Sequence, residues 1–453
     1  MDTTQSKPSI FLLLLLNTPL IAEVVRKYFL HSDFVVLLPE ALVLVVGACV
    51  LVKGTGFPRL LPFAFWMSAW LYLAWGLIGE MRSNNSLPIF LVGLGTTVLP
   101  FFHLAVSVAY CRNNPSVAIN RLFWCTSLWL VPIGIVAIAQ IYFGQDSWFS
   151  QYGLGEIGNG DYSVDGRAVE GLFRPTSIFM HTGKFGQTIF ALILFKFCVL
   201  FYRRSRPPLF VILLVLWDIG VAIISGQRSA LLFLTVALAL LALLSNGRSR
   251  FTLLSSLLLG GTIFTVVAFV FGALRPDVID IVRDRYLSGF TDIPSRVSGG
   301  VARPIGPILD RYLVFGEGVG FYSIGAVRYG AKVIYEYLGE GGAENSWIRI
   351  IGEVGFVGFI FYLSLIAHIT LTGLKVMLHS RNNDYQAVGA FLFFWLFSCM
   401  LWANTHDVFG NVVSMCVGFG LAGCAVTAQS DSSGMHANQA NRADSFTNFA
   451  NLT

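Results

Sequence analysis

The chain has 453 residues, 55% of them hydrophobic and 12% charged, with a formal net charge of +5. Soluble domains carry about 25% charged residues, so this composition, with a mean hydropathy of +0.70, excludes a soluble globular fold. The positive excess sits in short loops between apolar runs, which marks it as a topology signal and not a nucleic-acid footprint.

Twelve apolar runs have the length of helices that cross a hydrocarbon layer of about 30 Å. They lie near residues 9–28, 33–52, 60–80, 87–110, 122–144, 176–202, 208–226, 228–246, 251–272, 347–374, 386–404 and 409–428. The expected fold class is therefore all-α: a polytopic integral membrane protein with a large extracytoplasmic loop containing amphipathic helices, GT-C-like in outline. The chain divides into N-terminal membrane helices (1–144), a first outer loop (145–175), central membrane helices (176–272), a large outer loop (273–346), C-terminal membrane helices (347–428) and a disordered cytoplasmic tail (429–453).

Basic residues set the orientation. With the N-terminus inside, the cytoplasmic loops hold Lys53 and Arg59, Arg112 and Arg121, Arg203, Arg204 and Arg206, Arg248 and Arg250, and Lys375 and Arg381, opposed only by Asp384. Arg26 and Lys27 break this positive-inside pattern. The run they follow is also the weakest, interrupted by Asn17 and Pro19, and no small-x-small cleavage site follows it. If that run does not cross, eleven spans remain and the N-terminus lies outside. All seven cysteines sit in or beside predicted spans, so neither a disulfide framework nor a cysteine metal site is expected.

Few charges are expected in the first five runs. Glu40 is the exception, and a carboxylate at that depth costs roughly 2.5–3.5 kcal/mol on insertion scales, so it needs protein or water around it. His103 reads as a packed helix-interface residue. The first outer loop mixes charges with Gly, Tyr and Asn in an irregular pattern, suited either to a connector or to sugar contacts. Arg174, His181 and Lys184 then fall broadly on one helical face, with Pro175 fitted to the first turn of the next helix. Lys184 has Glu40 and Asp218 as candidate partners, and a structural ion pair is the favoured reading. Arg228 opens a helix after the tight turn Ser225-Gly226-Gln227, where a forked cation beside free backbone N–H groups suits a diphosphate.

The stretch from Gly272 to Gly358 is the largest polar region. Leu274, Val278, Ile281, Val282 and Tyr286 predict an amphipathic helix over 274–289. Short helical pieces are expected near 307–315 and 320–338. The loop carries seven arginines against one lysine, a bias toward bidentate anion recognition, and nine acidic residues that rule out a polyanion patch. It closes with Glu344-Asn345 at the water boundary, followed by Gly355 and Gly358, read as sites of close helix packing. His406 and Asp407 in the last outer turn are further candidates.

These features together resemble the bacterial O-antigen polymerase and O-antigen ligase superfamily of polytopic glycosyltransferases. The resemblance covers roughly residues 165–425: the Arg-Pro stretch from Arg174 to Gly186, the turn before Arg228, a long outer loop with a G-x-G element (Gly318, Gly320), and a dipeptide, Glu344-Asn345, ahead of Gly355 and Gly358. The ligase branch typically carries His-Asn at that dipeptide, so Glu344 points to the polymerase branch. The resemblance implies inverting, metal-independent transfer from an undecaprenyl-diphosphate-linked oligosaccharide, with no cofactor, in the bacterial plasma membrane. A chain-length regulator is an expected partner and nucleic acid is not. Glu344, Arg228 and Arg311 are the expected catalytic residues, and Arg174, Arg303, His181 and Asn345 the expected substrate-binding ones. Rival readings are an O-antigen ligase, a transporter or lipid-glycan flippase using Glu40, Lys184, Asp218 and His103 as a polar path, and an assembly protein whose outer loop only binds partners.

Overall fold

A computed structural model describes residues 10–29, 33–53, 61–83, 85–143, 148–151, 168–169, 172–173, 175–179, 182–203, 208–244, 303–323 and 345–427. The expected span at 251–272, the amphipathic helix at 274–289, the piece at 324–338 and the tail from 429 lie outside these residues. The helices are α1 (Ile10–Tyr28), α2 (Asp33–Val52), α3 (Phe63–Ser83), α4 (Leu87–Cys111), α5 (Pro115–Phe143), the short α6 (Trp148–Gln151), α7 (Thr182–Tyr202), α8 (Leu209–Ile224), α9 (Arg228–Leu244), α10 (Arg303–Arg311), α11 (Ser346–His379), α12 (Asn383–Trp402) and α13 (Val412–Thr427). Five of them (α4, α5, α7, α11 and α12) are long and apolar enough to cross a membrane. The protein is a membrane-embedded helical bundle.

In chain order, α1 is continuous through Pro19 because its neighbours repair the break. Proline cannot donate to the carbonyl four residues back, and the Thr18 hydroxyl takes that carbonyl, Leu15 O, at 2.8 Å. Asn17 is satisfied as well: its Oδ1 accepts from Trp129 Nε1 at 2.7 Å and from Cys125 Sγ at 3.0 Å, both on α5. The first run is thus one packed helix against α2 and α4.

The span expected to begin at 176 begins as a helix only at Thr182. Pro175 to Phe179 form a buried turn, with Ser177 in the left-handed region at φ +53°. A turn inside a bundle needs partners for its backbone. Gln140 Oε1 accepts from the N–H groups of Thr176 and Ser177 at 2.9 and 2.8 Å, and Lys27 Nζ donates to Thr176 Oγ1, Ser177 O and Phe179 O. Lys27 is fully buried, so it is no free loop charge in the orientation count. The first outer loop, expected to be irregular, contains a two-residue antiparallel pairing of Ala168–Val169 with Leu172–Phe173.

Helix α7 is the axis of the bundle: from Phe185 to Val199 its side chains are buried, and it packs on α12, α9, α5 and α8. α11 packs along α12 and α3. α13 lies on α4, where Ser107 Oγ donates to Gly420 O and a Cβ on Gly423 would strike Ser107. Cys111 and Cys424 join those two helices as a disulfide, against the expectation of none: the sequence places them 313 residues apart, and only the helix contact makes them neighbours.

Candidate functional site

The polar centre of the described structure is the N-terminal arm of α11 and what grips it. Asn345 is the N-cap: its Oδ1 accepts from Trp347 N at 2.9 Å and Ile348 N at 3.2 Å, satisfying two of the amides a helix start leaves open. Its Nδ2 donates to Asn404 O at 3.0 Å. The carboxamide, expected to bind substrate, is buried and occupied by this cap. Glu344, Arg174 and His181 lie outside the described residues.

One turn on, Arg349 is 2% exposed and forks between two carboxylates. Its Nε donates to Asp407 Oδ1 at 3.0 Å and its Nη1 to Glu353 Oε2 at 2.9 Å. Asp407 Oδ1 also accepts from Ser346 Oγ at 2.9 Å and Gly410 N at 3.0 Å. The turn between α12 and α13 is thereby fastened to the first turn of α11. In the sequence, Arg349 and Glu353 are legible only as charges at the start of a span. The signal that could find them is their i, i+4 spacing inside an apolar run, which demands a buried partner.

A strap of residues 312–323 crosses the same arm. Glu317 N donates to Gly352 O at 2.9 Å, Gly318 N to Glu353 O at 3.0 Å, and Phe356 N to Tyr312 O at 2.9 Å. Carbonyls 352 and 353 are open to the strap because α11 is broken at Gly355, where φ is +75°. A Cβ there would sit 2.3 Å from Val314 O. Gly355 is therefore a kink that receives the strap, in place of the smooth helix packing its spacing suggests. The glycines of the G-x-G element likewise serve close backbone approach. Gly318 and Gly320 have φ of +105° and +87° and press against the α3–α4 corner, Gly320 facing Ile89 O and Gly93.

Arg311, the last residue of α10, pairs with Glu317 Oε1 at 3.1 Å and is half exposed. Tyr312 donates to the same carboxylate oxygen, and the Tyr312 and Tyr322 hydroxyls lie 2.6 Å apart. Burial pushes both phenols above their ordinary value, so they remain neutral donors. Arg311 thus enters the site together with a carboxylate. Arg303 opens α10; its side chain is not among the described parts.

Arg228 is the first residue of α9, as expected, after a turn with Gly226 at φ +63°. That turn abuts α7, where a Cβ on Gly186 would strike Gln227. The next residue, Gln187, accepts from Asn411 Nδ2 at 2.5 Å, and Trp402 packs on both Phe233 of α9 and His406. An unbroken series of contacts therefore runs from the Arg228 turn through α7 to the 403–411 turn, the α11 arm and the strap.

Of the partners expected for Lys184, Glu40 lies within its electrostatic reach, but the direct ion pair is with Glu23 at 3.0 Å, and Asp218 pairs instead with Lys196 across the α7–α8 contact. Lys196 is a single charge within an apolar run, and Glu23 has Arg26 and Lys27 at i+3 and i+4 in its own helix, so the sequence signals neither distant pairing. Glu23, Glu40 and His103 line a cavity of about 20 Å³, the size of a water site. His103 is buried, as expected of an interface residue. Of the residues of the transporter reading, Glu40 and His103 share this cavity with Glu23, the partner of Lys184, whereas Asp218 is engaged by Lys196. No protein-family model and no curated protein matches the chain.

Proposed function

We propose that the protein polymerises oligosaccharide repeat units carried on undecaprenyl diphosphate into O-antigen, capsular or exopolysaccharide, at the outer face of the bacterial plasma membrane, with both termini cytoplasmic. The observation that carries the reading is the contact series just described. The G-x-G strap and the 403–411 turn, remote in sequence, both bear on the arm of α11 between the Asn345 cap and the Gly355 kink, and the Arg228 turn is linked to that arm through α7. Glycosyl transfer between two lipid-linked substrates needs cations and a carboxylate brought together, and a linked framework of this kind supports that reading.

In the proposed reaction an acceptor-sugar hydroxyl attacks the anomeric carbon of the donor from the face opposite the diphosphate. The bond from that carbon to the phosphate oxygen breaks, and its electron pair leaves with the diphosphate. Arg228 and Arg311, with Arg174 and Arg303, stabilise the departing negative charge as fixed guanidinium groups. Glu344 takes the hydroxyl proton. His181 is a further substrate-binding residue. The capped Asn345 supports this scheme by holding the segment that bears Glu344.

In cells, or in membranes supplied with lipid-linked repeat units, Arg228→Ala and Glu344→Gln should abolish long polymer without loss of protein. Wild-type chain lengths in both variants would remove the assignment.

A further inference from the structure

The break at Gly355 separates residues 346–354 from the rest of α11. Helical continuity cannot fix the direction of that arm, because the backbone at the kink is not helical. Backbone bonds to the strap hold its far end, and Arg349 adds a direct side-chain tie to the turn at Asp407 and a second, within the arm, to Glu353. Through Asp407 it holds the turn that also binds Ser346 Oγ and Gly410 N. Through Glu353 it holds the residue whose carbonyl receives the strap.

A buried cation between two carboxylates is a poor way to gain stability, since desolvation offsets most of the attraction. The network is not optimised for it either: Arg349 Nη2 is buried with no hydrogen bond. Such groups serve best where they fix a register. We infer that Arg349 is a positioning residue, clamping the 346–354 arm, with the Asn345 cap at its head, to the turn at Asp407 and, through Glu353, beside the strap that continues from Arg311. This rests on the transfer reaction proposed above.

The test uses purified full-length protein with undecaprenyl-diphosphate-linked repeat units. Arg349→Lys keeps the charge and loses the fork; Glu353→Gln keeps an acceptor and loses the charge, and serves if the first variant folds poorly. In each variant kcat should fall at least about tenfold, as for a reacting group misplaced by a fraction of an ångström, with KM within about twofold. Hydrogen exchange at the amides of 346–349 should quicken by about tenfold or more while α4 and α7 are unchanged. Unchanged exchange overturns the clamp whether or not the protein polymerises. Faster exchange with full kcat overturns its bearing on transfer. Parent protein that shows the exchange response in its variants but never polymerises repeat units overturns the transferase reading and leaves the clamp standing.

Discussion

Two buried ion clusters in this protein differ in what they connect. Lys196 and Asp218 are 1% and 2% exposed and join two neighbouring helices, α7 and α8. Arg349, equally buried, joins a helix arm to an inter-helix turn and lies beside the docking point of a strap from earlier in the chain. Packing alone can hold two neighbouring helices, so the first pair is replaceable in principle. The Arg349 fork meets one carboxylate on its own arm and one on the inter-helix turn, so removing it alone unties two segments and strands two charges. Buried charge in a membrane protein therefore has to be judged by how many segments it ties together.

That contrast can be broken by mutation. Arg349→Met strands Glu353 and Asp407 and should cost about 3–5 kcal/mol, read as lost folded protein or a lowered thermal midpoint in detergent. Asp218→Leu alone strands Lys196 and should also be costly, but the double variant Lys196→Met/Asp218→Leu should return to within about 1 kcal/mol of the parent; a double variant as unstable as the single would erase the distinction. Gly320→Ala combines φ of +87° with a clash at Ile89 O and should cost about 1–3 kcal/mol, loosening the strap and not the α7–α8 contact. Asn345→Ala removes the cap and should cost about 1 kcal/mol, with faster exchange confined to the start of α11. The smallest effect on stability belongs to Arg311→Ala, under about 1 kcal/mol for an exposed pair. Polymer length in that variant should still fall. Unchanged length would make the Arg311–Glu317 pair a surface feature.

The helices are largely legible in the sequence because a run of apolar residues long enough to cross a bilayer has few other solutions. Helix α9 starts at Arg228 as the sequence indicates, since a tight turn with Gly226 leaves little choice. Pairing across distance is what the sequence does not carry. Lys27 reads as a misplaced loop charge, and only the fold reveals that it closes a turn some 150 residues later. Lys184 has Glu40 and Asp218 at matching depth, yet its direct ion pair is with Glu23 on the first helix. Glycine spacing suggests helix packing, where the backbone angles make a kink and a strap. Periodicity encodes which face is apolar; it does not encode which neighbour that face meets.

The central claim is tested most directly by reconstitution. Purified protein in lipid bilayers, given undecaprenyl-diphosphate-linked repeat units and nothing else, should release undecaprenyl diphosphate and yield a ladder of polymers, and Glu344→Gln protein should yield neither. Repeat units left intact by well-folded wild-type protein, or a full ladder from the Glu344→Gln variant, would contradict the account.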